Sequence, residues 1–497
     1  ILAGIFLHFR NLDNAVYLSE DEARAFALMN SGPLIYLICA PALAVTERES
    51  TAFYVAAALG LACILLFFAL CRLLFGETLA AYAVLCYAVF PYRINYSRML
   101  YPPVFIDFFV LLLLVSFWYS ILKRKPAVMA LAGVFSAALL YVHPFSYSIL
   151  FGLLVASLFL WSAQKERMRP REAFRFVGFY TIGFFFGYLL LERILLMIDP
   201  AYAYTAYLFQ FGQHEKEAIR SSTNNLIPFF ITLWNIVTFS MMDILRALCV
   251  VSALAVTAVL AFRRRDVRVM FLIILACAAV SIFMCMTMLR FHEIRDRHFI
   301  WLCPLLSVCL AYTVLQMREK KQAAVRSVVA VCGLFFLGTS VFYSYRVTEE
   351  TFKTVHIQKW LADNHIRKSE VVTCLHLAAP GDREVVSLPP VIEHPSWTVT
   401  NQKFQIIWPL IWRAYNMGTI KYIIPSGVSS NANLADGDPM LAHVKPVQSW
   451  IHPYSAFKYR FFDNRPKKGD PIRWINAYRL DDVFSAGNLY TVMSKRK

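Results

Sequence analysis

Residues 51 to 72 read TAFYVAAALGLACILLFFALCR. Up to its terminal arginine this run carries no charged side chain, and as a helix it measures about 33 Å, the depth of a bilayer's hydrocarbon core. Lipid offers no hydrogen-bond partner, so a segment of this kind must satisfy its own N–H and C=O groups, which predicts a membrane-spanning helix. Outward from it, residues 103–122, 145–161, 176–198, 244–262, 267–289, 298–316 and 327–345 have the same character, and 78–90 and 126–142 are shorter versions. Residues 1–9 read as the outer end of a further span. Because Ile1 falls inside that apolar run, the true start of the chain is expected upstream and no signal peptide can be read.

These segments total about eleven spans. Residues 33–45 are too short to cross and are expected to lie in the interface or re-enter. Residues 226–242 are read as interfacial for another reason: if they crossed, Arg263-Arg264-Arg265 would share a side with the acidic loops, against the positive-inside rule. The composition agrees, since the 497 residues are 59% hydrophobic and only 16% charged, where a soluble chain would carry about 25%.

The net charge of +17 sits largely in short clusters between the apolar runs: 123–125, 165–175, 263–265 and 318–326. With no zinc-finger spacing, RNA-binding aromatic motif or continuous basic helix, these are topology signals, and no nucleic-acid partner is expected. Counted through the spans, the basic clusters all fall on the cytoplasmic side. Ser19-Glu20-Asp21-Glu22, Ser97-Arg98, His143, the 199–225 loop and Arg290 to Arg297 all fall on the external one. Of the eleven cysteines only Cys374 lies outside the apolar part, which suits small buried hydrophobes and not a disulfide framework.

From Arg346 the composition becomes that of a soluble domain. Phe352, His356, Trp360 and Leu361 recur at helical spacing; 371–375 and 421–427 read as strands, and 431–438 as a loop. The expected fold class is therefore a mainly α, polytopic membrane protein of about eleven transmembrane helices with external juxtamembrane helices over residues 1–345, followed by a C-terminal soluble α/β domain over 346–497 on the external side.

Adjacent carboxylates beside a membrane stand out, because ionised groups moved to a helix centre in lipid cost roughly 2.5–3.5 kcal/mol each. Alone, Asp21-Glu22 would read as a solvated amphipathic loop helix. Its setting resembles something more specific. Asp21-Glu22-Ala23-Arg24, after one span and before Pro33-Leu34-Ile35-Tyr36, resembles the first external loop of the glycosyltransferase C superfamily. The nearest branch is the bacterial dolichyl-phosphate-mannose-protein mannosyltransferase-like proteins, themselves similar to lipid A aminoarabinose transferases. Tyr96-Ser97-Arg98 matches the second external loop. Arg297-His298-Phe299-Ile300-Trp301-Leu302-Cys303-Pro304 resembles the entry to a late span. One departure matters: where relatives place a carboxylate four or five residues after the Ser-Arg, this chain has Pro102 and Pro103, and its first acid is Asp107.

The resemblance, which covers residues 1–345, implies sugar transfer from a polyprenyl-phosphate-linked donor to an acceptor hydroxyl on the external face, with inversion. In that reading Asp21 takes the hydroxyl proton as general base. Glu22 diverges from it on a helix and instead orients the acceptor or pairs with an arginine. Arg98, Arg297 and Arg295 are candidates to stabilise the departing phosphate, because guanidinium meets phosphate oxygens bidentately. Interfacial snorkelling is the plainer role for Arg98 and Arg297, and more so for Arg93 and Arg290. His143 could hydrogen-bond the phosphate, and His214, Lys216 and Arg220 could belong to a loop closing over the site. Metal-ligand spacings such as His-Glu-x-x-His or Asp-x-Asp are missing, so no obligatory metal or other cofactor is expected; a divalent ion would need acids from distant loops.

The expected partners are membrane lipid, the lipid-linked sugar donor, and a protein, lipid or polysaccharide acceptor. The expected location is the plasma (inner) membrane. Two rivals belong to other classes. A transporter or flippase for a lipid-linked sugar would place charge near the midplane in broken, repeated helices, and no repeat is visible here. A catalytically silent scaffold with a partner-binding external domain is kept open by the absent second-loop carboxylate.

Overall fold

The computed structural model describes residues 2–10, 33–46, 50–98, 102–143, 146–163, 170–198, 244–288, 296–318, 323–347, 354–367, 370–373, 397–400, 403–406, 408–424, 440–441, 443–451 and 474–485. They divide into two units: described residues up to 42 and from 52 to 349 form the first, and described residues 43–51 and from 350 onward the second. The first unit is helical. In chain order it holds α1 (Leu2–Phe9), α2 (Pro33–Thr46), α3 (Ser50–Phe75), α4 (Glu77–Ala88), α5 (Pro91–Ser97), α6 (Pro102–Leu122), α7 (Met129–Val142), α8 (Ser146–Ala163) and α9 (Pro170–Ile198). After these come α10 (Ile244–Arg264), α11 (Val267–Met288), α12 (Cys303–Arg318) and α13 (Ala323–Val347), with 3-10 turns at Pro126–Val128 and Asp296–Leu302. The expected interfacial segment 226–242 lies outside the described residues.

Among the described residues, eight helices are long and apolar enough to cross a membrane: α3, α6, α8 to α11, the Phe299–Met317 stretch built on α12, and α13. The other three expected spans correspond to α1, α4 and Pro126–Val142, all shorter. Proline accounts for the brevity of α4. Pro91 stands at the first position of α5, where its missing N–H is harmless, and it cannot continue the helix before it. The basic clusters at 123–125 and 263–265 form tight helix ends in which Arg124 and Arg265 take φ of 52° and 53°. Lys125 N–H then reaches Ser120 O at 2.9 Å and Asp266 N–H reaches Ala261 O at 2.9 Å, the backbone closure of a Schellman motif.

Between lipid-embedded helices apolar burial gives no net drive, so close approach and interhelical hydrogen bonds hold them together. Gly133 of α7 and Gly183 of α9 let two backbones touch: a Cβ on Gly133 would strike Tyr180 O, and one on Gly183 would strike Ala130 O. Along the same seam Tyr180 Oη donates to Ser136 Oγ at 2.9 Å and Tyr141 Oη to Glu192 Oε2 at 2.6 Å. Helices α10 and α12 are tied by Thr257 Oγ1 to Cys309 O at 3.0 Å and by Thr313 Oγ1 to Ala253 O at 3.1 Å. The outer faces of α9 and α13 leave Phe186 60% and Leu334 71% exposed, a surface suited to lipid tails.

The second unit combines helices with strands. It contains α14 (Thr354–Asp363), β1 (Val371–Thr373), β2 (Trp397–Thr400), β3 (Lys403–Ile406), α15 (Trp408–Asn416), β4 (Tyr422–Ile424), β5 (Gln448–Ile451), β6 (Trp474–Arg479) and α16 (Leu480–Val483). A four-stranded sheet runs β1-β4-β6-β5, with β1 and β4 parallel and the other pairs antiparallel; β2 and β3 form a separate hairpin. Leu361, Val371, Ile424 and Ala477 make its core, against which Trp360, Tyr422 and Trp450 pack. Glu370 locks the start of the sheet. It accepts Lys421 Nζ at 2.8 Å and Arg367 Nη2 at 3.1 Å, while its carbonyl accepts Lys421 N–H at 2.7 Å.

Two outcomes are expected. Gly183→Val should drive a side chain into the Ala130 carbonyl, a backbone atom that cannot yield, costing on the order of 1–3 kcal/mol; a fluorescence-detected melt of the detergent-solubilised protein measures it, and an unchanged midpoint would contradict the close packing. The second concerns Glu370, whose pKa the Lys421 ammonium and then the Arg367 backbone N–H and guanidinium hold below the usual carboxylate value, against the opposing effect of burial. A carboxyl with a lowered folded pKa stabilises the fold above the unfolded pKa and loses that contribution as pH falls through the folded one. Acid titration of wild type against Glu370→Gln, followed by Trp fluorescence, should therefore show the wild-type advantage at neutral pH vanishing below about pH 4.

Candidate functional site

The polar groups of the first unit converge where α1, α3, α5 and α6 meet. Arg93 on α5 and Asp107 on α6 are each 2% exposed, and Arg93 Nε lies 3.9 Å from Asp107 Oδ2. Tyr87, at the end of α4, donates its hydroxyl to the same Oδ2, and the Arg93 guanidinium stacks 4.2 Å from the Tyr87 ring centre. Arg93 Nη2 donates to Gly60 O in the middle of α3. Its Nη1 lies 3.2 Å from His8 Nε2; a guanidinium only donates, so this imidazole nitrogen accepts and the histidine proton sits on Nδ1. Gly60 admits this arrangement, because a Cβ there would lie 2.7 Å from Ser97 Cβ and 3.0 Å from His8 Cδ2.

Just beyond, Arg98 Nη1 donates to Leu7 O at 3.0 Å and His8 O at 3.1 Å, so a cation caps the carbonyl end of α1, where the helix dipole favours it. Arg98 is 5% exposed. Burial and the nearby Arg10 guanidinium push it down to about 10, which leaves it charged at neutral pH. Arg10 donates to Tyr345 Oη at 2.9 Å and lies over that ring at 3.8 Å, tying the end of α1 to α13. Residues 11–32, Asp21 among them, follow Arg10 in sequence and lie outside the described residues.

Of the residues singled out in the sequence, the structure brings Arg98 and Asp107 into one corner. The backbone of Arg297 belongs to the 3-10 turn Asp296–Leu302, which packs against α5 and α6. His143 caps α7, is 7% exposed and accepts Ser146 N–H on its carbonyl at 3.1 Å. Asp21, Glu22, Arg295, His214, Lys216 and Arg220 lie outside the described residues, as does the Arg297 side chain. Among the described residues no group of three His, Cys, Asp or Glu side chains could hold a metal ion. The ten described cysteines are free thiols.

The structure adds residues that the sequence reading passed over. Arg93, read as a snorkelling cation, is buried and paired; Asp107, the displaced second acid, is occupied by Tyr87 and Arg93 and fixes helices together. Arg246 at the head of α10 is 0% exposed. It donates to Ser340 Oγ at 2.8 Å and Thr339 Oγ1 at 3.1 Å and sits 4.3 Å from the Phe336 ring centre, joining α10 to α13. The available signal was a single arginine and a single aspartate inside otherwise apolar runs, which in a membrane must pair or serve a function. One helical turn along α6 from Asp107, a small apolar crevice of about 30 Å³ begins, lined by Phe67, Leu70, Leu111, Leu275, Trp301 and Val308.

Breaking the buried pair from either side should be costly, since it strands one charge: Asp107→Leu or Arg93→Leu is expected to lose roughly 3–5 kcal/mol, whereas the double Leu variant should be more stable than the sum of the two losses. Thermal unfolding of the purified variants measures this, and strict additivity would refute the pairing.

No protein-family model matches the sequence, and no curated protein matches it in sequence. Solved structures do match. ArnT from Cupriavidus metallidurans, crystallised bound to undecaprenyl phosphate, is similar over 78% of this chain and 83% of that one, with 12% identity and a TM-score of 0.52. The Archaeoglobus fulgidus oligosaccharyltransferase in complex with Zn and sulfate has a TM-score of 0.45 and 13% identity over 73% of this chain. This chain covers 54% of that protein's length. In its apo form the same oligosaccharyltransferase has a TM-score of 0.49 and 10% identity, covering 94% of this chain and 71% of that one. The chain shares its fold with ArnT, which agrees with the fold that the resemblance to the glycosyltransferase C superfamily implies.

Proposed function

We propose that the protein is a membrane glycosyltransferase that moves a sugar from a polyprenyl-phosphate-linked donor to an acceptor hydroxyl on the external face of the plasma membrane. The observation that carries this reading is the apolar crevice one helical turn from the arginine-rich corner, in a fold shared with a protein crystallised with undecaprenyl phosphate. The apolar lining of the crevice suits contact with an isoprenoid chain, and the lipid's phosphate suits the nearby cations.

In this mechanism Asp21 removes the acceptor proton as the hydroxyl oxygen attacks the anomeric carbon. The new carbon–oxygen bond forms as the bond to the phosphate oxygen breaks, the electron pair leaves with the phosphate, and the anomeric configuration inverts. Glu22 orients the acceptor. Arg297, Arg295, Arg98 through its remaining donors, and His143 offset the charge growing on the departing phosphate. His214, Lys216 and Arg220 close over the reactants. The acceptor is a protein, lipid or polysaccharide hydroxyl, and the second unit lies on the external side.

Described geometry supports one part of the machinery directly. Arg98 and Arg93 fix both the carbonyl end of α1 and the His8 side chain, so the Asp21 loop starts from a rigid root, which positioning to within an ångström requires. Asp21→Asn should lower sugar transfer by about 10²–10⁴-fold in a lipid-reconstituted assay with a polyprenyl-phospho-sugar, while its melting temperature stays at the wild-type value. Turnover near wild type would remove Asp21 as the base.

A further inference from the structure

The second unit carries a surface feature to which the mechanism proposed above assigns no role. Helix α15 is amphipathic: Ile411 and Ala414 are buried, while Trp412 is 40% exposed, and Met417 just past its end is 68% exposed. The exposed indole is held in place. Phe484, 8% exposed, meets it edge-on with ring centres 4.6 Å apart. Tyr415, one turn along the helix, contacts both rings at 5.9 and 5.2 Å. Tyr415 Oη donates to Asp481 Oδ1 at 2.6 Å, and Arg479 Nε pairs with Asp481 Oδ2 at 3.2 Å. The result is a preset aromatic plane bordered by a carboxylate and a guanidinium, both more than half exposed.

We propose that the Trp412–Tyr415 face, with Asp481 and Arg479 at its edge, is a saccharide-binding site for a neutral pyranose. Three properties of a pyranose match the three properties of the face. Its ring presents a patch of C–H groups that lies flat on an electron-rich indole, since the face of an aromatic ring is negative. Its ring substituents include vicinal hydroxyls, which need an acceptor and a donor side by side. A carboxylate has about four lone-pair sites and Asp481 commits two, leaving capacity for two hydroxyls, and Arg479 supplies N–H groups to hydroxyl oxygens. The Tyr415–Phe484 packing fixes the indole in advance, so binding spends little on ordering it. A lipid headgroup is the competing occupant of an exposed tryptophan. It would have no need of a tyrosine hydroxyl and a carboxylate locked together at the rim, and the negative Asp481 disfavours an anionic leaflet.

The site stands independently of the transfer reaction, because binding can be measured on the full chain with no donor present. In nanodiscs, saturation-transfer NMR with maltotriose and chitotriose as probes should show saturation at the pyranose C–H protons of at least one. Trp412→Ala should weaken that binding by about tenfold or more, equivalent to ~1.4 kcal/mol. Trp412→Phe, which keeps a ring face, should fall between, and it guards against a simple folding defect. Absence of saturation with both trisaccharides overturns the proposal, as does binding that Trp412→Ala leaves unchanged. Brominated lipids in the nanodisc supply the remaining arm: if they quench wild-type fluorescence and Trp412→Ala removes that quenching, the face is a membrane contact and the proposal fails.

Discussion

A guanidinium buried among four helices is the interaction on which the first unit depends. Arg93 cannot shed its proton, and an unpaired charge of this kind in an apolar interior would cost several kcal/mol. Its position is therefore set by its partners: Asp107 on α6, Tyr87 at the end of α4, Gly60 O on α3 and His8 on α1. Remove any one and a buried donor or charge is left behind. Apolar packing, which could be satisfied in several registers, has no such specificity. The ion pair and its hydrogen-bond partners consequently fix how these helices meet.

Much of this fold was legible as hydropathy, and the parts that were not share a cause. Residues 51–72 announce a span because length and lack of charge are properties of the segment itself. α4 and Pro126–Val142 sat at the margin of that criterion, and their brevity follows from Pro91 and from the turn at Arg124. Arg93 was visible as a charge beside an apolar run and Asp107 as one inside such a run, but their pairing was not, since the thirteen positions between them say nothing about which helix faces which. A charge at the end of a short apolar segment can reach water or turn inward, and only the packing of Gly60 against Ser97 and His8 decides for the latter. For Asp21, Glu22, His214, Lys216 and Arg220 the reading rests on sequence setting alone.

Helix contact in the rest of the unit obeys the same economy by other means. Where no charge is buried, the seams use glycine and hydroxyls: Gly133 with Gly183, Ser136 with Tyr180, Gly152 against Leu275 O at 2.5 Å from a notional Cβ, and Thr257 with Thr313. Small residues let dispersion act at the closest range, and hydroxyls supply hydrogen bonds in a medium that offers none. Arg246 lies between these two modes, a cation held by Ser340, Thr339 and an aromatic face.

Asp107 faces inward to Tyr87 and Arg93 with 2% of its surface exposed. Arg98 spends part of its donor set on the carbonyls of Leu7 and His8, so a buried cation satisfies the last carbonyls of α1 that no helical N–H can reach. Displacing Arg98 would strand those carbonyls, just as displacing Asp107 would strand Arg93.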